Sequence, residues 1–453
     1  MIALIAGPCP PPRSVQGLGL PYLAAALEQA GHEVGIFDTY PALPDDAHAQ
    51  DPDELLAEAV AAQGPRLVGV TIHTPAYAGR VHLAQCLRRR LPDALLVAGG
   101  HHPTAAPAHL LRNSDFDVCV IGEGERTLVE IAEGVRGGQS GRGTRWLAAI
   151  RGVAYKAEGQ VARTARRGPI ADVDSLPLPA HHLVGLERYD PHPVLGLRSQ
   201  GLLTYRGCPM RCAFCCNPQG RRARLRTPSR VVDEVERVVC DFGVRGFNVY
   251  DNLFGLSRAH SLAVCDGIVR RRLDVVWDCW TAGDLVDAEL AARIRAGGCV
   301  TALFGAESGD DEVLARSGRG FTGAQHQAGI RALLSAGLKV RVFLMVGLPG
   351  ETEASVRRTV DFAAQCGADD VCLSLHRPWP GTAAWRNPRA FGLRITRGPD
   401  FEGYVETDSL SRAALLELTE SAVETLKQRG LNSDILRCDR FAWEGFPKQP
   451  VGC

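Results

Sequence analysis

Short apolar runs of strand length recur through the first part of the chain, at 2–6 (IALIA), 33–37 (EVGIF), 66–72 (RLVGVTI), 94–98 (ALLVA) and 117–121 (DVCVI). Between them the apolar positions fall at helical spacing, as Leu20, Leu23, Ala24 and Leu27 do at i, i+3, i+4 and i+7. Strands that alternate with helices predict a parallel sheet covered on both faces, an α/β doubly wound (Rossmann-like) domain over residues 1–140. Ligands of such sheets bind beyond the carboxyl ends of the strands.

The rhythm breaks over residues 141–197, with GGQSGRG just before and into the segment, a hairpin-like RGVAYKAEGQVARTA and prolines at 177, 179, 191 and 193. This composition predicts an interdomain linker with a hairpin. Alternation resumes with strand candidates at 202–205, 246–250, 275–280, 299–305, 338–346 and 371–375. Val231, Val232, Val235, Val238, Val239 and Phe242 form one helical face after Pro228, and another helix is predicted from Thr322 to a stop at Gly337. Repeated β/α units predict a partial (β/α)6 barrel over 198–390, with its active site at the carboxyl ends of the strands. A helical tail follows over 391–453, with its helix at about 411–429.

A chain of 453 residues with 45% hydrophobic side chains is long enough for two cores. Lys and Arg number 51 against 51 Asp and Glu, so no global field recruits nucleic acid or an anionic membrane, and a small-molecule partner is expected. The N-terminus has no basic leader, and nowhere do about 18 apolar residues run together, so a cytoplasmic location is expected. Fifteen cysteines is an odd number in a long chain, which favours free thiols and metal ligands over a disulfide scaffold. Cys240, Cys265, Cys299, Cys366 and Cys372 read as core residues.

The strongest chemical signal is Tyr205-Arg-Gly-Cys208-Pro-Met-Arg-Cys212-Ala-Phe214-Cys215, directly after the first barrel strand. Three thiolates at this spacing on one loop can wrap a cuboidal iron–sulfur cluster and leave one iron open for the amino and carboxylate groups of S-adenosylmethionine (SAM). The competing readings are core cysteines or a zinc site, but no fourth ligand is evident nearby, since Cys216 is adjacent to Cys215.

With an aromatic residue before its third cysteine, CxxxCxxC after a strand resembles the radical SAM superfamily. The resemblance implies a 4Fe-4S cluster on Cys208, Cys212 and Cys215, with Phe214 near SAM. It implies further SAM contacts at Asp251 (FNVYDNLF), at Glu307 and Ser308 (GAESGD), and at Gly347 and Gly350 (VGLPGET). Ala282 departs from the pattern, where related sequences often carry arginine.

The first domain resembles the cobalamin-binding half found ahead of the barrel in a large subgroup. The resemblance rests on Gly17-Leu-Gly-Leu-Pro-Tyr-Leu, Asp38, Thr71, Gly99-Gly100-His101-His102-Pro-Thr104 and Gly122-Glu123-Gly124-Glu125. It implies cobalamin contacts at Gly99, Gly100, His102, Thr104, Gly122 and Glu123. No Asp-x-His-x-x-Gly follows the first strand, so the histidine that ligates cobalt from below in other cobalamin proteins is missing, as it is in that subgroup.

The first reading that follows is cobalamin-dependent C-methylation of a small-molecule natural product through a 5'-deoxyadenosyl radical, with electrons from an external flavodoxin- or ferredoxin-type donor. The alternative is a cobalamin-independent dehydratase, deoxygenase or cyclase acting on a sugar or aminoglycoside, similar to the apramycin-pathway diol dehydratase. That chemistry needs an acid, for which Tyr205, His376 and Tyr404 are candidates. A methylthiotransferase with a second cluster on Cys9, Cys86 and Cys119, and a non-enzymatic sensor, are lesser readings. His376, Arg377, Tyr404, Trp443 and Phe446 are expected to wall the substrate pocket.

Overall fold

The structure is a computed structural model that describes residues 1–6, 17–38, 51–139, 143–398 and 403–435. The chain divides into two compact units, Met1–Tyr189 and Asp190–Cys453.

In the first unit the strands are β1 (Ile2–Ile5), β2 (Val34–Phe37), β3 (Leu67–Thr71), β4 (Leu95–Gly99), β5 (Val118–Val120), β6 (Val153–Ala157) and β7 (Gln160–Arg163). They form one sheet in the order β2-β1-β3-β4-β5-β6-β7. The pairings from β2 to β5 are parallel, and β6 and β7 run antiparallel at the edge. The helices are α1 (Gly19–Gln29), α2 (Pro52–Ala61), α3 (Tyr77–Arg90), α4 (His101–Ala105), α5 (Pro107–Arg112) and α6 (Glu125–Arg136). The doubly wound fold is as the periodicity predicts. The hairpin expected inside a linker instead extends the sheet, because Val153, Ala154 and Tyr155 are apolar enough to be buried against it.

In the second unit β8 (Ser199–Leu202), β11 (Gly246–Val249), β12 (Val276–Thr281), β13 (Cys299–Glu307), β14 (Lys339–Val346), β15 (Asp370–Leu375) and β18 (Asn432–Ile435) form a parallel sheet in the order β18-β15-β14-β13-β12-β11-β8. Two antiparallel pairs lie apart from it, β9 (Tyr205–Arg206) with β10 (Arg224–Leu225), and β16 (Leu393–Arg397) with β17 (Gly403–Thr407). The helices are α7 (Pro228–Phe242), α8 (Arg258–Arg270), α9 (Ala288–Ala296), α10 (Asp311–Arg316), α11 (Gly323–Ser335), α12 (Glu353–Gln365), α13 (Ala383–Arg386) and α14 (Arg412–Gln428).

Local chemistry sets the helix ends. Pro228 opens α7, and Gly243 closes it in the left-handed region at φ +63°. Thr322 and Thr352 start α11 and α12 with reciprocal capping boxes to Gln325 and Ser355. Phe247, Val249 and Trp277 pack with Val235 of α7 and with Val264 and Ile268 of α8. The alternate residues, Asn248, Asp278 and Trp280, therefore face the other side of the sheet. There Asn248 donates to Asp278 at 2.9 Å, and Trp280 stacks on Phe343 with ring centroids 4.8 Å apart.

Three expectations are corrected. The first barrel strand ends at Leu202 rather than 205, because Thr204 turns away to hydrogen-bond Asp251. The tail expected to be helical supplies β18 to the sheet edge, where Arg341 pairs with Asp434 at 3.0 Å. Cys240 is exposed on α7, while Cys265, Cys299, Cys366 and Cys372 are buried as expected.

Candidate active site

The motif's loop is closed by the β9/β10 pair, which brings residues 207–223 back on themselves. Gly207 makes this possible: its φ is +89°, and a Cβ there would lie 2.2 Å from the Arg222 carbonyl oxygen. The Cys208 amide donates to the Gly220 carbonyl at 3.1 Å, and Asn217 Nδ2 donates to the same carbonyl at 2.8 Å. From the far side, the Ala213 amide donates to Ser317 and the Ala384 amide to Ala213.

This frame brings Cys208, Cys212 and Cys215 together. Burial pushes the Cys212 thiol up, and the neighbouring Cys208 adds to it. Burial pushes Cys215 up to about 12, with Cys212 and Cys208 again adding to it. Burial keeps the Cys212 and Cys215 thiols protonated unless positive charge lies beside them, which is the chemistry of an iron–sulfur cluster. Cys216 is half-buried beside them on the same loop.

Beside the cysteines stands Arg319, which the sequence reading missed. It is 6% exposed. Its Nη1 lies 3.8 Å from Cys212 Sγ, its Nη2 donates to the Gly305 carbonyl, and its Nε has no hydrogen-bond partner among the described residues. Glu307 Oε1 is 3.7 Å from Arg319 Nη2. Glu307 ends β13 at φ +71°, where the register with β14 shifts between Gly305 and Glu307. A non-glycine residue held there is strained, and such strain concentrates at functional sites. Burial raises the Glu307 carboxyl and Arg319 opposes the rise. The signal for Arg319 was its place after Ser-Gly: Gly318 and Gly320, both at positive φ, turn the chain back past α10.

Several expected contacts are engaged elsewhere. The Tyr205 hydroxyl donates to the Leu253 carbonyl at 2.9 Å and accepts from the Leu253 amide at 2.8 Å, so it ties β9 to the segment after β11. Asp251 does not present a free oxygen. Oδ1 accepts from the Thr204 and Tyr205 amides, and Oδ2 accepts from Thr204 Oγ1 at 2.5 Å. Burial nonetheless pushes that carboxyl up to about 6. Ser308 lies 3.0 Å from Thr359 Oγ1 and accepts from the Asp310 amide, so it braces the turn after β13.

His376 follows β15 with Phe214 edge-on to its ring, centroids 6.5 Å apart. Nδ1 lies 3.0 Å from the Gly347 carbonyl oxygen, which only accepts, so Nδ1 carries the proton. Nε2 is then a buried acceptor with no partner among the described residues. Burial holds the imidazole down to about 4, which favours the neutral ring.

Glu351 accepts from the Gly347 and Leu348 amides at 2.6 and 3.0 Å. Gly347 and Gly350 have φ of +94° and +80°, and their missing Cβ positions face Val405 and the Arg316 side chain. At both positions the turn of the loop itself requires glycine. Tyr404 lies under the Arg412 guanidinium, and Trp443 and Phe446 fall outside the described residues.

In the first unit, a Cβ at Gly99 or Gly122 would meet nothing within 4 Å, so the carboxyl ends of β4 and β5 carry open space. Gly100 is required for another reason, since its φ is +103° and a Cβ would lie 3.0 Å from the Ile72 carbonyl oxygen. His102 is corrected to a packing role: it is fully buried, 3.3 Å from Thr74 Oγ1 and tilted on Tyr77, and burial holds it down to about 4. Thr104 Oγ1 accepts from the Gly122 amide at 3.0 Å, and Glu123 accepts from the Ile170 amide at 2.6 Å, so both brace loops. Cys86 and Cys119 are buried, and Cys9 lies outside the described residues.

Arg80, in the first turn of α3, was also missed. It is 1% exposed, with Nε and Nη1 lacking partners among the described residues. Burial lowers it to about 10, against the pull of Asp53 and Asp38. An orphaned guanidinium near glycine-opened strand ends suits a large ligand that carries an anionic group, as cobalamin carries a phosphate.

Two protein families match the sequence, the radical SAM superfamily over residues 202–363 and the B12 binding domain over residues 12–132. An uncharacterized methyltransferase of Pyrococcus horikoshii is 28% identical over 437 residues, 95% of this chain and 91% of that protein. An anaerobic magnesium-protoporphyrin IX monomethyl ester cyclase of Cereibacter sphaeroides is 30% identical, with 85% of this chain and 61% of the cyclase covered. Among solved structures, the radical SAM methyltransferase TsrM of Kitasatospora setae, with cobalamin and a 4Fe-4S cluster bound, superposes with a TM-score of 0.74. It shares 22% identity, with 94% of this chain and 88% of that one covered, and so speaks for the fold.

Proposed function

The chain belongs to the radical SAM superfamily, in the subgroup with a B12-binding domain ahead of the barrel, and on that premise we propose that it methylates carbon in a small-molecule substrate. The observation that carries this reading is that one chain holds both a three-thiol site beside the Arg319–Glu307 pair and glycine-opened strand ends in the B12-binding unit. The methyltransferase relative is matched over 91% of its length and the cyclases over 61% and 71%, which favours methyl transfer over ring closure. Dehydration has less support, because the Tyr205 hydroxyl and His376 Nδ1 protons are held in internal hydrogen bonds and Tyr404 lies under the Arg412 guanidinium.

When bound, the cluster supplies an electron for SAM cleavage and cobalamin supplies the methyl group. Cys208, Cys212 and Cys215 hold the cluster. Arg319 takes the SAM carboxylate and Glu307 its ammonium group, each matched in charge. His376 Nε2, a neutral acceptor, takes a hydrogen bond from the adenine amino group beside Phe214. Glu351 holds the Gly347–Leu348 backbone in place for the same ring. Arg80 is the residue for the cobalamin phosphate.

The test is anaerobic incubation of the cluster- and cobalamin-loaded protein with methyl-labelled SAM and a reductant, without added substrate. The reading expects S-adenosylhomocysteine, with label in the corrinoid fraction. SAM cleavage to 5'-deoxyadenosine with no label on the corrinoid would overturn it.

A further inference from the structure

In the first unit, three side chains of different chemistry converge between α2 and α3. Asp51 caps α2, its Oδ1 accepting from the Asp53 amide at 2.9 Å. The other oxygen is turned outward, and Oδ2 lies 2.5 Å from His82 Nε2. His82 stands four residues before Cys86 on α3, so both project from one face of the helix. Cys86 Sγ is 3.7 Å from His82 Nε2, and the three donor atoms all lie within 4.8 Å of one another. Cys86 is buried, whereas the Asp51 and His82 side chains are 40% and 45% exposed, so the group is open to solvent on one side.

A thiol, an imidazole and a carboxylate form a mixed donor set of borderline softness, which zinc accepts and which magnesium and calcium do not favour. Ordinary zinc–nitrogen and zinc–sulfur bonds at a tetrahedral angle would separate the two donors by about 3.6 Å. The Cys86–His82 distance is 3.7 Å. The same geometry would separate nitrogen from oxygen by about 3.3 Å, so the Asp51 contact opens by less than about 1 Å when an ion replaces the shared proton. Arg89 Nη2 lies 3.4 Å from Cys86 Sγ and opposes burial and Glu54, which push the thiol up to about 11 until an ion binds. Glu54, held by Arg89 and Arg90, stands beside the group.

We propose that Asp51, His82 and Cys86 bind one zinc(II) ion that clamps the start of α2 to α3, with water or Glu54 in the fourth position. Binding releases the Cys86 thiol proton to solvent and displaces the proton shared by His82 Nε2 and Asp51, which goes to Nδ1 when the ring starts neutral and to solvent when it starts protonated; no electron is transferred.

The experiment uses the full chain loaded with its cluster and cobalamin, equilibrated with zinc chloride and gel-filtered. Zinc content is then measured together with the zinc-edge X-ray absorption spectrum. Stoichiometric zinc with a single sulfur among nitrogen and oxygen neighbours is the expected result. Its loss is expected in His82→Ala and Cys86→Ser proteins that keep wild-type iron and cobalamin. A wild-type protein without bound zinc, a shell of several sulfurs or no sulfur, or zinc retained by both variants would each overturn the proposal. If a variant fails to fold, the sulfur count of the wild-type shell decides.

Discussion

Arg319 Nη1 lies 3.8 Å from the sulfur of Cys212, placing a fixed positive charge against one of the three thiols expected to hold the cluster. The same guanidinium is 3.7 Å from Glu307 and leaves Nε without a partner among the described residues, so it has a donor to spare for the SAM carboxylate. Replacing Arg319 by Gln removes a charge-assisted hydrogen bond, which is expected to weaken SAM binding roughly 10–100-fold. Arg319→Lys recovers only part of it, since lysine lacks the planar fork. Equilibrium dialysis with labelled SAM on cluster-loaded protein measures both, and unchanged affinity in Arg319→Gln would remove this residue from the site.

The thiols divide sharply in their expected roles. Alanine at Cys208, Cys212 or Cys215 is expected to abolish retention of the cluster while cobalamin still binds. Alanine at Cys216, adjacent on the loop, is expected to leave iron content at the wild-type level. Iron analysis and the visible spectrum after anaerobic reconstitution read the difference. Loss of the cluster in Cys216→Ala would add that residue to the ligand set.

Tyr205→Phe tests a latch against a proton donor. The substitution strands the Leu253 amide and carbonyl, both now paired with the hydroxyl, and is expected to cost about 1–3 kcal/mol of stability. Below the lowered melting temperature, SAM cleavage is expected to persist. A stable variant that has lost turnover would restore Tyr205 to the chemistry.

Glu351 gives a pH dependence with a definite sign. Burial pushes its carboxyl from 4.5 up to about 7, so the folded state holds a proton that the unfolded chain has released. Its contribution to stability is therefore present at or below about pH 4.5, falls as pH rises to about 7, and is level above that. Glu351→Gln keeps an oxygen for the Gly347 and Leu348 amides but has nothing to ionise. Unfolding by denaturant at a series of pH values is expected to show a flatter profile for the variant. On the alkaline side the variant is expected to be more stable by on the order of 1–3 kcal/mol. Parallel wild-type and variant profiles would show that Glu351 is ionised throughout.

Gly99 separates the two cofactor sites. A side chain there meets nothing within 4 Å in the protein itself, and Gly99→Val is expected to fold and to keep its cluster. Its cobalamin content after gel filtration is expected to fall, because the new side chain occupies the open strand end. Wild-type cobalamin retention would move the corrin away from β4.

What the sequence determined by itself was whatever depends on neighbours along the chain. Apolar periodicity located the alternating strands and helices, since burial on two faces of a parallel sheet leaves a local trace. The cysteine spacing marked the loop expected to hold the cluster, because three thiols fall on one short stretch of chain.

The tertiary structure decided which polar atoms were already spent. Asp251, Ser308, His102 and Tyr205 look like site residues at their strand ends, yet each makes a hydrogen bond to a residue distant in sequence. Arg319 and Arg80 carried no motif, and only folding left them buried with donors unmatched. The edge strand β18 was missed for a similar reason, and the β6–β7 hairpin was read without its place in the sheet. A short strand owes its place to the edge it pairs with, and that edge lies elsewhere in the chain.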